Sequence, residues 1–252
     1  MKAIILAAGY ATRLYPLTKK IAKPLLPIGT RLMLDYVVER LRKLSSLQAV
    51  YVVTNQTFFA QFQEWKKRNR QGGSIHLVND GTRAPEERLG AIRDLQFVIR
   101  KKKMKEDLIV AGGDNFFDFE LGNFVTEGKK HRPYPTLGVY NIGSQIEAKR
   151  FGVVQLNTVG KIANFMEKPD QPHSTFVAMC LYYFPKESLS WIKEYLDFGE
   201  NADAPGHYLS WLVKQKQVYG CLFEGEWVDI GDLKTYRAVQ KKYQKPRSGA
   251  NG

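Results

Sequence analysis

The chain has 252 residues, a formal net charge of +13, 44% hydrophobic and 25% charged residues; this ordinary soluble globular composition allows one large α/β domain, or two small ones, around a sizeable core. The apolar runs are short and interrupted by charge, which excludes a bilayer-spanning helix and a membrane partner, and the chain enters a core strand without a secretory leader, so a cytoplasmic protein is expected. Cys180 and Cys221 form no C-x-x-C pair and His76, His131, His173 and His207 form no H-E-x-x-H pair, which sets aside a disulfide framework and a zinc hydrolase in favour of buried thiols in a reducing compartment.

In chain order, apolar runs predict strands over 2–7, 49–54, 74–79 and 107–112, and amphipathic spacing predicts helices over 33–44, 58–70 and 86–101. Strand and helix alternate. The expected fold is α/β, a Rossmann-like α/β/α sandwich with a mixed, mostly parallel central sheet and helices on both faces. Ligands of such sheets bind beyond the carboxyl ends of the strands. The second half reads as strands over 136–142, 152–156, 161–167, 176–184, 218–224 and 227–230, broken by helices near 186–196 and 207–214. More strands with fewer crossovers imply antiparallel additions. No linker or internal repeat is evident, and the tail 245–252, rich in Gly, Ser, Pro and Asn, reads as flexible.

The positive excess invites a nucleic-acid reading. Its densest run, Arg100-Lys101-Lys102-Lys103-Met104-Lys105, falls between a predicted helix and a strand, where cations complement the helix dipole. No helix-turn-helix or aromatic-interleaved pattern accompanies it. A solvated helix end and no nucleic-acid partner are therefore expected, with the excess charge drawing anionic substrates inward.

Chemistry concentrates at strand ends. Strand 2–7 breaks at Ala8-Gly9, and the following loop carries Thr12, Arg13 and then Lys23-Pro24. A small-residue loop at a sheet edge lets backbone N–H groups approach a polyphosphate, and Arg13 and Lys23 add fixed positive charge. The spacing is neither that of a P-loop nor that of a dinucleotide fingerprint. Strand 107–112 ends in Gly112-Gly113-Asp114-Asn115 over the same edge, and a second carboxylate, Asp229, lies in Trp227-Val228-Asp229-Ile230-Gly231. Magnesium takes one or two protein carboxylates and completes its octahedron with water and substrate phosphates, so two distant aspartates suffice. Read singly, G-D-N is also turn chemistry and Trp-x-Asp a core Trp beside a helix cap.

Leu6-Ala7-Ala8-Gly9-Tyr10-Ala11-Thr12-Arg13-Leu14, followed by Lys23-Pro24-Leu25-Leu26-Pro27, resembles the L-A-A-G-x-G-[TS]-R-L and K-P-x-x-P signature of the sugar-1-phosphate nucleotidyltransferases, or NDP-sugar pyrophosphorylases. Ala11 stands where the family more often has Gly, so a positive φ there would carry strain. The two aspartates resemble the family's metal ligands. Arg150-Phe151-Gly152-Val153-Val154 resembles [YF]-G-V-V, Glu167-Lys168-Pro169 resembles E-K-P, and 174–183 resembles the strand lining the sugar pocket, with Cys180 where Gly is common. The resemblance runs from Leu6 to Gly231 and is closest to the glucose-1-phosphate thymidylyl- and uridylyltransferase branch. It implies the nucleotide-diphospho-sugar transferase fold, a single domain over 1–244 with a nucleotide-binding half, 1–132, and a sugar-binding half, 133–244.

The resemblance also implies a site and a reaction. Leu6, Ala7, Ala8, Gly9, Thr12, Arg13, Gly90 and Asp114 would bind the nucleotide, and Asp114 and Asp229 would hold Mg²⁺. Lys23, Gly152, Glu167 and Lys168 would bind the sugar-1-phosphate, with Arg13, Lys23 and Lys168 catalytic. A phosphate monoester has a second pKa of about 6 and needs no base; it would attack the α-phosphorus of an NTP in line and expel pyrophosphate. The branch's Gln-bearing Q-P-x-P-x-G-L-A segment is replaced here by 79–91, which keeps only Gly90. Small residues at Ala7, Ala8 and Gly90 favour a pyrimidine NTP. Two alternatives stay open, a nucleotidyltransferase acting on a non-sugar phosphate or phosphonate acceptor and a catalytically silent regulatory subunit of the same fold, and either would be compatible with a homo-oligomer. Asp203-Ala204-Pro205-Gly206 could reach the acceptor pocket but reads foremost as a helix start.

Overall fold

The structure, a computed structural model, describes residues 1–69 and 74–244. The last residue of the predicted helix 58–70 and the tail 245–252 lie outside the described residues. β1 (Lys2–Leu6) is the axis of the sheet. It pairs in parallel with β4 (Ala49–Thr54) on one side and β6 (Leu108–Gly112) on the other, and β5 (Ser74–Asn79) pairs in parallel with β4. Every residue of β4 and β6 is buried, as parallel strands covered on both faces require.

Beyond β6 the sheet continues through β11 (Phe176–Phe184), β8 (Thr136–Asn141) and β12 (Tyr219–Phe223). β9 (Gly152–Leu156) and β10 (Ile162–Glu167) attach near the amino end of β11. Of these nine strands, only β10 and β11 run against the others, so the sheet is mixed and mostly parallel.

Side-chain alternation along β1 sorts the helices into two layers. Ala3 and Ile5 belong to the core beneath α1 (Met33–Arg42), α2 (Phe59–Arg68) and α4 (Gly122–Lys130), packed through Leu34, Val37, Phe62, Trp65 and Phe124. Ile4 belongs to the opposite core, beneath α3 (Ala91–Lys101), α6 (Leu189–Asp197) and α7 (Pro205–Gln215), packed through Leu95, Ile192 and Leu212. Each such side chain, fully buried, contributes roughly 1.5–3 kcal/mol. A third cluster, with Ile28, Phe116, Ile230 and Tyr236, joins the hairpin β2 (Pro27–Ile28) and β3 (Arg31–Leu32), the ribbon of β7 (Asn115–Phe117) and β13 (Trp227–Asp229), and α8 (Leu233–Gln244). It brings the carboxyl-terminal residues back onto the first loop.

The helix predicted over 86–101 starts at Ala91, because Gly90 has φ +90° and Pro85–Glu87 forms a separate 3₁₀ turn. The helix predicted from 207 starts at Pro205, where proline's fixed φ suits the first helical position. The sequence pattern does not announce β2, β3 or β7, which are too short for periodicity. It also misses α4, which opens on Gly122, the single-turn α5 (Gln145–Ala148), and α8, whose polar sequence buries only Tyr236 and Val239. No helix among the described residues is long and apolar enough to cross a membrane.

Candidate active site

The register of β1 builds the floor of the site. Leu6 lies level with Val53 and Gly112, and Gly113 donates its N–H to the Leu6 carbonyl at 2.9 Å. The first loop and the segment carrying Asp114 therefore leave the sheet side by side. Above them opens a cleft of about 460 Å³ lined by Leu6, Ala7, Gly9, Arg13, Lys23, Asp114, Gly152, Glu167, Lys168 and Asp229 among others. Three residues of the expected set, Ala8, Thr12 and Gly90, do not line it.

Ala8 instead anchors the loop from beneath, its carbonyl accepting from the Asn55 amide at 2.9 Å. Ala11 has φ +48°, the left-handed conformation expected where the family prefers Gly, at a cost of roughly 1–2 kcal/mol for a residue with a Cβ. Hydrogen bonds to its carbonyl from the Thr18 hydroxyl at 2.8 Å and the Leu14 N–H at 3.0 Å hold it there. Lys168 has φ +45°, with its N–H donated to the Phe151 carbonyl at 3.0 Å. Both strained residues line the cleft, the usual place for strain that surrounding structure over-determines.

Two carboxylates meet on the floor. Lys23, 7% exposed, donates from Nζ to Asp114 Oδ2 at 2.6 Å. Trp227 donates from its indole to Asn115 Oδ1 at 2.7 Å, and the β13–β7 register sets Asp229 opposite Asn115, so Asp229 arrives beside Asp114. Burial pushes Asp114 up, but the charge and hydrogen bond of Lys23 outweigh it and hold the carboxyl below its ordinary range. Asp229 is raised, first by burial and then by the charge of Asp114, with Lys23, Arg13 and Arg150 acting against the rise.

The opposite wall comes from β9, β10 and the start of α7. A Cβ on Gly152 would collide with the Phe165 ring and stand 3.2 Å from Glu167 Oε2, so glycine there makes room for both side chains. Glu167 lies against Gly206 in the first turn of α7, where the helix dipole favours a carboxylate. Lys168 Nζ lies 3.6 Å from Glu167 Oε1. Asp203, Ala204, Pro205 and Gly206 all line the cleft. The segment read as a helix start is therefore both a helix start and a wall of the site. Cys180 and Tyr182 of β11 also line it, and burial pushes the Cys180 thiol up to about 12.

Gly90 acts from behind that wall. A Cβ on it would stand 2.8 Å from Asp203 Cα, and the N–H groups of Ala91 and Ile92 donate to the carbonyls of Asp203 and Ala202 at 3.2 and 3.1 Å. Close packing of two backbones accounts for the glycine. Arg88 forks onto Asp203, Nε to Oδ1 at 2.8 Å and Nη2 to Oδ2 at 3.1 Å. Below, Tyr10 of the first loop donates to Thr82, and Thr82 donates to Asp80 at 2.9 Å. Asp80 faces Asp94 of α3, whose carboxyl burial and the neighbouring Asp80 charge push up to about 8.

Sequence reasoning did not assign Asn115, Arg150 or Trp227 to the cleft, although all three line it, whereas Tyr182 falls in the stretch 174–183 expected to line the acceptor pocket. Arg150 and Trp227 stand inside quoted motifs, but their direction depends on tertiary packing. Arg150 Nη2 is held by Asp232 Oδ2 at 2.7 Å.

The floor suits a divalent cation. Asp114 and Asp229 supply hard oxygen donors, and Asp229, raised by burial and then by the charge of Asp114, would be relieved by a cation between them. Among the described residues no group of three or more His, Cys, Asp or Glu side chains forms a metal cage. A two-carboxylate site that leaves other positions to water and phosphate is the habit of Mg²⁺.

Residues 2–246 match the sequence model of the family described as Nucleotidyl transferase. The chain is 26% identical to the bifunctional protein GlmU of Methanococcus aeolicus, over 92% of this chain and 51% of that protein. It is 29% identical to the glucose-1-phosphate adenylyltransferase of Clostridium novyi, over 93% of this chain and 64% of that protein. It thus spans about half to two thirds of the length of these curated relatives. A solved Bacillus anthracis structure, named as a glucose-1-phosphate thymidylyltransferase and holding a sucrose, superposes with a TM-score of 0.83 at 22% identity over 99% of this chain and 97% of that one. At that identity the likeness carries the fold alone.

Proposed function

We propose, from the premise that the chain belongs to the nucleotidyl transferase family, that it transfers a nucleotidyl group from an NTP to a sugar-1-phosphate, forming an NDP-sugar and releasing pyrophosphate. One observation carries the reading: a single cleft joins the Lys23, Asp114 and Asp229 floor to a facing wall of Glu167 and Lys168. The floor suits phosphates and a cation, and the wall offers a carboxylate for hydroxyls beside an ammonium for a phosphate. The halves 1–132 and 133–244 would then act as the nucleotide and acceptor sides of one domain.

The acceptor phosphate supplies its own nucleophile, so no side chain needs to remove a proton. Mg²⁺, when held by Asp114 and Asp229, supplies charge neutralisation for the reacting phosphates. Arg13 stabilises the triphosphate as charge moves toward pyrophosphate. Lys23 fixes the Asp114 carboxylate and adds positive charge at the reacting phosphates, while Lys168, set by its strained backbone, orients the acceptor phosphate. Glu167 accepts from sugar hydroxyls.

A pyrimidine NTP is the favoured donor. Ala7, a small residue that lines the cleft, leaves backbone groups open to a pyrimidine edge, while the loop over 80–90 is tied to Asp203 by Arg88 and packed at Gly90 behind the wall. The names of the similar proteins include both adenylyl and thymidylyl transfer. The cytoplasm, where thiols such as Cys180 and Cys221 stay reduced, is the fitting compartment.

A matrix of ATP, GTP, CTP, UTP and dTTP against several sugar-1-phosphates and one phosphonate, read by pyrophosphate release, tests the proposal. Release should require Mg²⁺, an NTP and a sugar-1-phosphate, and be fastest with a pyrimidine. Unchanged release after chelation would overturn the metal role. Preference for the phosphonate would overturn the sugar assignment, and preference for a purine the base assignment alone.

A further inference from the structure

A second concavity, of about 500 Å³, lies between α3 and α6 and shares no lining residue with the cleft. Arg93, Gln96, Phe97, Arg100 and Lys101 of α3 and Leu196 of α6 line it. The five α3 residues follow the spacing i, i+3, i+4, i+7, i+8, which places them on one face of the helix. The basic run that reads as a solvated helix end therefore turns its first two cations, Arg100 and Lys101, into a groove.

Three properties of the groove describe what would fill it. Its positive charge is not neutralised from within: among the described residues the guanidinium groups of Arg93 and Arg100 take part in no hydrogen bond or ion pair. The carboxylates of α6 are engaged elsewhere, Glu194 with Lys216 at 3.4 Å and Asp197 with Lys193. Its floor is apolar and aromatic, with Phe97 and Leu196 packed on the core and Lys101 Nζ 4.7 Å from the Phe97 ring centroid. Finally, the Gln96 Oε1 is buried without a donor, and such an acceptor costs free energy until an N–H or O–H reaches it.

We infer that the α3–α6 groove binds an organic phosphate with a flat ring: its phosphate between Arg93 and Arg100, its ring against Phe97 and Leu196, and a ring N–H donated to Gln96. The charge-assisted pairing of phosphate with guanidinium is strong and geometrically selective, and the volume is that of a small-ligand site rather than a macromolecular interface. α3 leads back to Gly90 and α6 leads on to Ala202 and Asp203, so a ligand spanning both helices sits behind the two backbones that meet at the cleft wall. The inference does not rest on the proposed reaction.

Binding of AMP to the full chain, measured by calorimetry, tests it. Arg93→Ala/Arg100→Ala should weaken AMP at least ~10-fold, the scale of losing a charge-assisted contact, and leave the melting temperature unchanged. Arg93→Lys/Arg100→Lys should keep most of the affinity, and Asp114→Asn should keep all of it. Equal AMP affinity in the double alanine variant, loss of AMP in Asp114→Asn, or displacement of AMP by a polyglutamate peptide at lower concentration than by inorganic phosphate would each overturn the assignment. Competition by inorganic phosphate with no gain from the adenine ring would show the flat-ring half to be wrong.

Discussion

Lys23 and Asp114, 91 residues apart, are joined by a 2.6 Å hydrogen bond at the centre of the cleft, with the lysine side chain 8% and the aspartate side chain 35% exposed. The cation is shut from water while the carboxylate still opens onto the cleft. Lys23 therefore keeps Asp114 ionised against the burial that would neutralise it, and leaves an oxygen facing the space where phosphate and cation would meet.

That pairing fixes the first prediction. Asp114→Asn and Asp229→Asn should each lower kcat at least ~100-fold, the scale expected when preorganised transition-state charge is removed. Lys23→Ala should also lower turnover and carry a distinct signature. Without Lys23 the main opposition to burial at Asp114 is gone and its pKa rises, so the acid limb of the kcat/KM profile moves to higher pH. A profile unmoved by Lys23→Ala would separate the lysine from the aspartate.

The two walls should be separable by kinetics. Lys168→Ala should raise the acceptor KM and leave NTP affinity within a few-fold, whereas Arg13→Ala should depress turnover with both substrates saturating. Equal loss of NTP binding in both variants would contradict the division of the cleft.

Much of this floor is legible in the sequence because each part is a strand followed directly by its own loop. Leu6 to Gly9 and Gly112 to Asp114 need only the parallel register of β1 and β6 to meet. The wall is less legible. Asp203 to Gly206 enters the cleft only because Gly90 packs on Ala202 and Asp203, a contact between distant segments that no periodicity announces. Arg150 is aimed by Asp232, just ahead of a helix, α8, whose polar sequence hides it. The hydrophobic spacing of α3 marks its buried face but says nothing of the groove that Arg93 and Arg100 line.

Gly206 tests the wall directly. A Cβ added there would strike the Glu167 carboxylate, and Glu167 is confined on its other side by Gly152 and Phe165. Gly206→Ala should therefore displace Glu167 and raise the acceptor KM while leaving the NTP KM within a few-fold. Glu167→Gln should raise the acceptor KM in the same way without disturbing packing. If Gly206→Ala changed only stability, Glu167 would have no part in acceptor binding.

The last prediction concerns a proton held behind the nucleotide loop. Asp94 is 7% exposed and its Oδ1 has no hydrogen-bond partner; burial, followed by the charge of Asp80, raises its pKa from 3.8 to about 8. The folded protein therefore keeps the Asp94 proton through a range where the unfolded chain has lost it, and stability falls as pH rises through that range. The contribution is fully present below about pH 4 and lost by the time pH has passed through about 8. Asp94→Asn carries no such proton, and its amide can donate to Asp80. The melting temperature of the variant minus that of the wild type should therefore increase steadily from pH 5 to pH 8, with the wild type losing ground because its unfolded chain gives up the proton that the fold retains until ionisation near pH 8. Because Asp80 is tied through Thr82 to Tyr10 of the first loop, the same ionisation should loosen that loop, seen as faster amide exchange at Tyr10 in the wild type than in Asp94→Asn at pH 8. A difference in melting temperature that stays constant across the range would show that Asp94 is ionised in the folded protein throughout.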